Sequence, residues 1–128
     1  MKIISTIDAP AAIGPYSQAM QVGDMLYTSG QIALTPQGEM VGDDIHDQAD
    51  QVLKNLGAVL AEAGATYSDV IKTTIFLADM DDFLAVNTIY AEYFGDHKPA
   101  RSTVAVRELP RRAKVEIECI AKLLQYNY

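Results

Sequence analysis

The sequence predicts an α+β fold in which two helices cover one face of a β-sheet. Apolar residues alternate with polar ones, or cluster as β-branched residues, in at least five short stretches, and they follow a helical period in two longer ones. The order is β, β, α, β, α, β, β, with or without a further strand at residues 2–6. Because two helices can cover only one face of such a sheet, the other face must be solvated or meet another subunit.

The N-terminal half divides into a hairpin, a loop and a helix. Residues 17–33 hold two short strand-like stretches around Gly23-Asp24, a pair typical of a tight hairpin turn. Residues 34–43 contain one Pro and two Gly and read as a loop. In residues 44–63 apolar side chains recur every three or four positions, with acidic residues before them and Gly64 after them, which predicts a helix.

The C-terminal half repeats the alternation of strand and helix. Residues 70–77 (VIKTTIFL) are rich in β-branched residues and predict a strand. Residues 81–94 predict a second helix that ends at Gly95. Its buried face comprises Phe83, Val86, Tyr90 and Phe94. Strands are expected at 102–106 and 114–123, joined by RELPRR, in which a proline interrupts the pairing.

Composition narrows the possible functions. The chain has 128 residues, 49% hydrophobic and 21% charged, which fits a single domain over residues 1–128 with its own core. Ten Lys and Arg against 17 Asp and Glu give a formal charge of -7. This acidity disfavours nucleic acid and anionic membrane surfaces as partners, because both attract cationic side chains.

Targeting signals are not evident, and the expected compartment is the cytoplasm. No apolar run approaches the roughly 18 residues of a membrane span. The first 19 residues lack the continuous apolar segment of a signal peptide. Cys119 is the only cysteine and cannot form an intrachain disulfide, which favours a reducing environment.

Two adjacent predicted strands carry a possible site on the uncovered face. Alternation along residues 114–123 points Glu116 and Glu118 away from the helices, and alternation along 102–106 points Arg101 and Thr103 the same way. A simple hairpin would place Thr103 near Glu116 and Arg101 near Glu118. Arg101 could then bind a carboxylate ligand through two hydrogen bonds while a Glu positions water. The alternative is an exposed ladder of cross-strand charges.

Other polar residues stand out by position. Asn87 lies on the apolar stripe of the second helix, so its amide should bond either a ligand or a nearby backbone group. Tyr16, in Gly-Pro-Tyr, is either a core or interface anchor or a ring that covers a pocket. Ser29 precedes Gly30, where a ligand or another chain could approach the backbone closely.

Several chemistries find no support in the sequence. His46 and His97 have no neighbours at metal-ligand spacing and are expected on the surface. There is no phosphate-binding glycine loop and no dinucleotide fingerprint. Cys119 lies on the inward face of its strand and is expected to be inert. Lys72 and Lys114 show no reason for a lowered pKa, so a Schiff base is not expected.

The chain resembles the reactive intermediate deaminase family (RidA, or YjgF/YER057c/UK114) over nearly its whole length. The segments that carry the resemblance are APAAIGPYSQA, LYTSGQIAL, VLKNLGAVLAEAG, VIKTTIFLADMDDFLAVNTIY and PARSTVAVRELPRRAKVEIECIA. The resemblance implies a chorismate-mutase-like fold with a six-stranded, mainly antiparallel sheet and two helices on one face. It also implies a homotrimer with a barrel-like core and ligand sites between subunits.

The implied activity is hydrolysis of enamines and imines, such as 2-aminoacrylate and 2-iminobutanoate, to 2-oxo acids and ammonia. The resemblance assigns Arg101, Glu116 and Tyr16 to catalysis, with Arg101 on the substrate carboxylate, Glu116 on the attacking water and Tyr16 over the ligand. Substrate binding would add Ser29, Gly30, Asn87 and Thr103. No metal or other cofactor is expected, because an imine is already electrophilic.

Two departures from the family pattern bear on activity. Close relatives carry Cys where this chain has Thr103, and the loop GDHKPARS before Arg101 is short. Two rival functions are also compatible with the sequence. One is a trimeric sensor that binds 2-oxo acids or related carboxylates without turnover. The other is an endoribonuclease or translation inhibitor, which the charge of -7 disfavours.

Overall fold

A computed structural model of the chain describes residues 1–124. The helices are α1 (Ile45–Glu62) and α2 (Phe83–Phe94). The strands are β1 (Lys2–Ile4), β2 (Ala19–Val22), β3 (Met25–Thr28), β4 (Val70–Leu77), β5 (Ala100–Ala105) and β6 (Val115–Lys122). Short 3₁₀ turns lie at Tyr67–Asp69, Met80–Asp82 and Pro110–Arg112.

The six strands form one mixed sheet in the order β1-β2-β3-β6-β4-β5. The β4–β5 pair is parallel and the other four pairs are antiparallel. Each helix serves as a crossover, α1 between β3 and β4 and α2 between β4 and β5. The predicted α+β class, with a first strand at the N-terminus and both helices over one face, is confirmed.

Local sequence signals place most elements correctly. Gly23 and Asp24 turn the β2–β3 hairpin, in which Val22 faces Met25, and Gly23 adopts a φ of +60°. α1 begins after Asp44, whose side chain accepts a 3.0 Å hydrogen bond from the Asp47 amide. α2 begins two residues later than predicted, because Asp79 caps a separate 3₁₀ turn by accepting from the Asp81 amide at 2.8 Å.

The core lies between the helices and the inner face of the sheet. Its largest fully buried side chains include Leu26, Leu53, Leu56, Leu60, Ile75, Leu77 and Ile117. Cys119 belongs to this core, and burial raises the pKa of its thiol to about 11. An uncharged buried thiol is a poor nucleophile, which agrees with the expected inert role. Within residues 1–124, neither helix is both long enough and apolar enough to cross a bilayer.

The predicted hairpin between β5 and β6 is wrong. β4 lies between these strands, pairing antiparallel with β6 on one edge and parallel with β5 on the other. The crossover through α2 delivers β5 parallel to β4, as βαβ units do. The chain then leaves β5 through the turn at Pro110, where Arg111 and Arg112 adopt φ values of +55° and +56°.

The predicted orientation of Arg101 and Thr103 is also wrong. Register aligns Arg101 with Thr73 and Cys119, and Thr103 with Ile75 and Ile117, all on the helix-covered face. The prediction assumed that the apolar residues of this strand face the helices. β5 is an edge strand, however, and its apolar Val104 lies on the open face with 45% of its surface exposed. Glu116 and Glu118 do lie on the open face, as predicted.

Candidate functional site

Glu116 lines a cleft with a volume of about 570 Å³. Three further residues singled out in the sequence line the same cleft: Tyr16, Ser29 and Gly30. Its other walls are mainly apolar and come from residues 10–13, from the loop after β3 and from the turn at Pro110. A mostly apolar hollow with a few polar groups is typical of a small-molecule site.

Gly30 leaves room for the Glu116 side chain, which occupies the position that a Cβ at residue 30 would need. A Cβ built on Gly30 would overlap the Oε2 atom of Glu116 and lie 2.8 Å from its Cδ. The absence of a side chain therefore lets the carboxyl group of Glu116 lie against the backbone that follows β3. The expected partner of Gly30 was a ligand or another chain, whereas the group that lies against it here is the Glu116 side chain of the same chain.

The environment of Glu116 raises the pKa of its carboxyl group above the ordinary value of 4.5. Burial is the main cause, because a charged carboxylate loses hydration there. The negative charge of Glu118, two residues along the same face, adds to the effect. A carboxyl group with a raised pKa can hold and exchange a proton nearer neutral pH, as a general acid or base requires.

Ser29 and Tyr16 are joined through the backbone beside the cleft. The Ser29 hydroxyl donates a 2.6 Å hydrogen bond to the carbonyl of Ser17, the residue after Tyr16. The Tyr16 amide donates to Gly14 O at 2.9 Å, which closes a tight three-residue turn around Pro15. The Tyr16 ring remains 54% exposed, so it is a rim residue of the cleft and not a core anchor in this chain.

Arg101 lies in a second hollow, of about 410 Å³, beside α2. Its Nη1 donates a 2.8 Å hydrogen bond to Asn87 Oδ1. Its guanidinium carbon also lies 5.0 Å from the centroid of the Tyr90 ring and 5.6 Å from that of Phe83, within the range of cation–π attraction. The expected partner of Asn87 was a ligand or a backbone group, and the structure corrects this to the Arg101 side chain.

The Arg101 guanidinium is positioned but not neutralised. Within residues 1–124, no carboxylate lies within 4.0 Å of it. Tyr90 is held in turn, since its hydroxyl and that of Thr73 lie 2.8 Å apart in a hydrogen bond. An oriented, unpaired guanidinium is suited to bind an anion through two parallel hydrogen bonds.

Two other predicted residues occupy different surroundings. Thr103 lines neither hollow, and its Oγ1 is buried with no hydrogen-bond partner among the described residues. His97 was expected on the surface, but its Nε2 lies 2.6 Å from the carbonyl oxygen of Val70 and its ring helps to line the Arg101 hollow. In the described part of the chain, no three His, Cys, Asp or Glu side chains gather in a way that could hold a metal ion.

One chain does not bring the two groups together. Arg101 is on the helix side of β5 and Glu116 is on the open side of β6, with β4 between them. Glu116 aligns with Val104, three residues along β5 from Arg101. Strand spacing and rise therefore separate their Cα atoms by roughly 14 Å. The predicted convergence of Arg101, Thr103 and both glutamates on one surface is thus wrong for a single chain.

Comparison with known proteins identifies the family. Residues 6–123 match the profile of the family described as Endoribonuclease L-PSP. The chain is 53% identical over 123 residues to Reactive Intermediate Deaminase A, chloroplastic, of Arabidopsis thaliana, covering 95% of this chain and 66% of that protein. It is also 53% identical over 121 residues to the 2-iminobutanoate/2-iminopropanoate deaminase of Mus musculus, covering 94% and 90%.

The chain belongs to the RidA family. The fold agrees, since the structure of E. coli TdcF with bound serine matches with a TM-score of 0.91 and 45% identity, covering 95% of this chain and 98% of that one. The resemblance recognised in the sequence is therefore confirmed.

The family motifs contain residues from both hollows, but some residues in or beside these hollows were not predicted as site residues. Phe83 and Tyr90 were expected only as core, whereas both rings contact the Arg101 guanidinium. Their spacing with Asn87, at four and three residues, was the available signal, because an amide between two rings on one stripe needs a polar partner. Gln18, which lines the Glu116 cleft, was missed altogether.

Proposed function

We propose that this RidA-family chain is a 2-iminobutanoate/2-iminopropanoate deaminase. It adds water to the C=N carbon of a 2-imino acid and expels ammonia, leaving a 2-oxo acid. Enamines such as 2-aminoacrylate enter the same route after a proton is added at their terminal carbon. The observation that carries the proposal is the Arg101 guanidinium, oriented by Asn87 and without a carboxylate partner among residues 1–124.

Arg101 supplies the binding of the substrate carboxylate. Asn87 occupies one edge of the guanidinium, and the remaining N–H groups can donate to both oxygens of a carboxylate. This contact would orient the carbon that bears the imine relative to the other catalytic groups. The serine in the TdcF structure is also an α-carboxylate of similar size, which fits such a site.

Glu116 supplies the proton chemistry. Its raised pKa allows the carboxyl group to protonate the enamine carbon and, once ionised, to take a proton from the attacking water. Tyr16 covers the ligand from the rim, and the backbone at Ser29 and Gly30 forms the floor beside Glu116. The backbone near Thr103 helps to place the water.

We further propose a homotrimer in which each site forms between two copies. The open face of the sheet carries Ile3, Val22, Tyr27 and Val104, each 45% to 64% exposed, and partly buried Met20, Phe76 and Ile120 lie among them. Burying such a face against other copies would stabilise the assembly. It would also let Arg101 of one copy reach the Glu116 cleft of the next, which one chain cannot achieve.

We also propose a compartment, the absence of a cofactor and the partners of this chain. The chain acts as one domain in the cytoplasm, where imines released by amino-acid dehydratases would be removed. No cofactor takes part, because the imine carbon is electrophilic without one. Small 2-imino and 2-oxo acids are the proposed partners, and nucleic acid is not, given the charge of -7.

The test generates 2-aminoacrylate and 2-iminobutanoate in situ with a dehydratase and follows release of the 2-oxo acids. Wild type should accelerate release, and Arg101→Ala should abolish the acceleration. Arg107→Ala is the matched control, because Arg107 is exposed and lines neither hollow. No acceleration by wild type, with 2-oxo acids still bound through Arg101, would instead establish the sensor function. Degradation of RNA that survives Arg101→Ala would favour the endoribonuclease activity.

A further inference from the structure

Gln18 is a buried amide that holds one wall of the Glu116 cleft. Its side chain is 3% exposed and makes four hydrogen bonds to a segment without regular structure. Oε1 accepts from the Thr6 amide at 2.6 Å. Nε2 donates to the carbonyls of Thr6, Ala9 and Pro10 at 3.1, 3.5 and 2.8 Å. We call residues 6–12 the N-terminal strap; its residues 10–12 line the cleft.

The hydrogen bonds of the strap to the rest of the chain depend on this one side chain. Among the described residues, every hydrogen bond between the strap and the rest of the chain is made by the side-chain carboxamide of Gln18. The other bond within it, from the Asp8 amide to Thr6 Oγ1, is internal. A further hollow, of about 400 Å³, lies against residues of the same strap, whose buried anchor in the core is Ala9, 1% exposed.

The backbone of Gln18 is attached to another part of the cleft lining, at Ser29. Its carbonyl accepts a 2.9 Å hydrogen bond from the Ser29 amide, next to Gly30 and Glu116. The Ser29 hydroxyl meanwhile binds Ser17 O at 2.6 Å. Gln18 therefore links the backbone beside Glu116 to the strap, two parts of the lining of one cleft.

We infer that Gln18 is a positioning residue that sets the width of the Glu116 cleft through its bridge from Ser29 to the strap. This inference rests on the proposed function, because the cleft is the one that would receive the imine. Gln18 does not take part in proton transfer. It keeps the strap at the distance that binding of a small substrate requires, and a shift of about 1 Å in such a wall can cost up to about a hundredfold in kcat/KM.

Gln48 provides a matched control for the burial and loss of an amide. It is 1% exposed, donates to Gly42 O at 2.6 Å and accepts from the Lys114 amide at 2.9 Å. None of these three residues lines the Glu116 cleft. Gln48→Met should thus lower stability in the same way as Gln18→Met without moving the strap.

The first experiment compares Gln18→Met with Gln48→Met in two measurements. Amide hydrogen exchange should become at least about tenfold faster in residues 6–12 of Gln18→Met, and not in Gln48→Met. In the imine assay, Gln18→Met should lower kcat/KM about tenfold to a hundredfold, mainly by raising KM. A purely structural loss would instead lower the amount of active enzyme, and hence kcat, at constant KM.

The second variant, Gln18→Glu, guards against misfolding of the first. An ionised Glu can still accept from Thr6 but cannot donate to the three carbonyls, which it repels. When protonated it regains one donor. The activity of Gln18→Glu relative to wild type should therefore rise as pH is lowered from 8 to about 5, whereas the ratio for Gln48→Glu should show no such gain in kcat/KM.

The two proposals fail in different ways. If wild type does not turn over imines, the proposed function fails, and hydrogen exchange alone decides the role of Gln18. If exchange in residues 6–12 is the same in Gln18→Met and wild type, the bridge does not hold the strap and the inference is overturned. Unchanged KM in a folded Gln18→Met that still accelerates imine hydrolysis would overturn it equally.

Discussion

Asn87 Oδ1 accepts a 2.8 Å hydrogen bond from Arg101 Nη1 and thereby orients the guanidinium before any ligand arrives. The two residues lie on α2 and β5, fourteen positions apart. Because Asn87 is neutral, it fixes direction without cancelling charge. The positive charge of Arg101 remains available for an anionic substrate, which connects a helix-face amide to the proposed chemistry.

Asn87→Asp should harm activity through charge. The new carboxylate would pair with Arg101 and compete with the substrate carboxylate for the same guanidinium. We expect KM for the imine to rise at least about tenfold, and a smaller rise for Asn87→Ala, which loses only the hydrogen bond. Steady-state kinetics measure both. Thr88→Ala, at the exposed neighbouring position, should match wild type; an Asn87→Asp variant with normal KM would contradict the orientation role.

Glu116→Gln should remove activity and change how stability depends on pH. The loss of a proton donor and acceptor should lower kcat by about 10²–10⁴. The folded-state pKa of Glu116 is raised above 4.5, so ionisation of this carboxyl group destabilises the fold. The destabilisation grows as pH rises from about 4.5, is complete above the raised pKa and is absent at pH values well below 4.5. Gln carries no such penalty. The variant should thus gain stability relative to wild type as pH rises towards neutrality.

Urea denaturation over a series of pH values measures this gain. Glu108→Gln is a suitable control, because Glu108 is exposed and lines neither hollow. Its stability relative to wild type should not follow the Glu116 profile. If the difference in unfolding free energy between Glu116→Gln and wild type stays constant from acid to neutral pH, then partial burial does not disfavour the ionised form of Glu116.

Two inactive variants should complement each other if sites form between copies. Arg101→Ala and Glu116→Gln are co-expressed with different tags, and mixed assemblies are isolated by both. In every cyclic trimer that carries both tags, about one third of the interfaces, one of the three, combines an intact Arg101 with an intact Glu116. Activity should recover to about that fraction of wild type, and native mass measurement should give three times the 14.0 kDa chain.

The control for complementation pairs Arg101→Ala with the double variant Arg101→Ala/Glu116→Gln, which leaves no intact Arg101 in any assembly. It should recover no activity. If the two single variants in mixed assemblies stay as inactive as each alone, then Arg101 and Glu116 do not serve one site from different chains.

Thr103→Val should stabilise the fold. Its Oγ1 is buried and has no partner among residues 1–124, and an unpaired buried hydroxyl costs free energy that a methyl group does not. We expect the free energy of unfolding to rise by about 1 kcal/mol. If the position contributes through its backbone, imine hydrolysis should be unchanged. A loss of activity at full stability would instead mean that the hydroxyl contacts the ligand or its water.

Much of the fold could be predicted because its signals are local. The period of α1, the Asp44 cap, the Gly23-Asp24 turn and the β-branched run of β4 each depend on residues a few positions apart. Asn87 could be recognised as unusual for the same reason, since its neighbours on the stripe are apolar. Recognition of the family then added residue roles that periodicity does not supply.

The sequence by itself determined the α+β class, most element bounds, the open face bearing Glu116 and Glu118, and the need of Asn87 for a polar partner. Only the tertiary structure decided that β4 separates β5 from β6, that Arg101 faces α2, and that Gln18 bridges the cleft. Periodicity reports the contacts of residues close in sequence. Strand order depends on pairing between strands that are far apart in the sequence. An exposed edge strand such as β5 also has a weak hydrophobic alternation, so the sequence does not show which of its side chains face the helices.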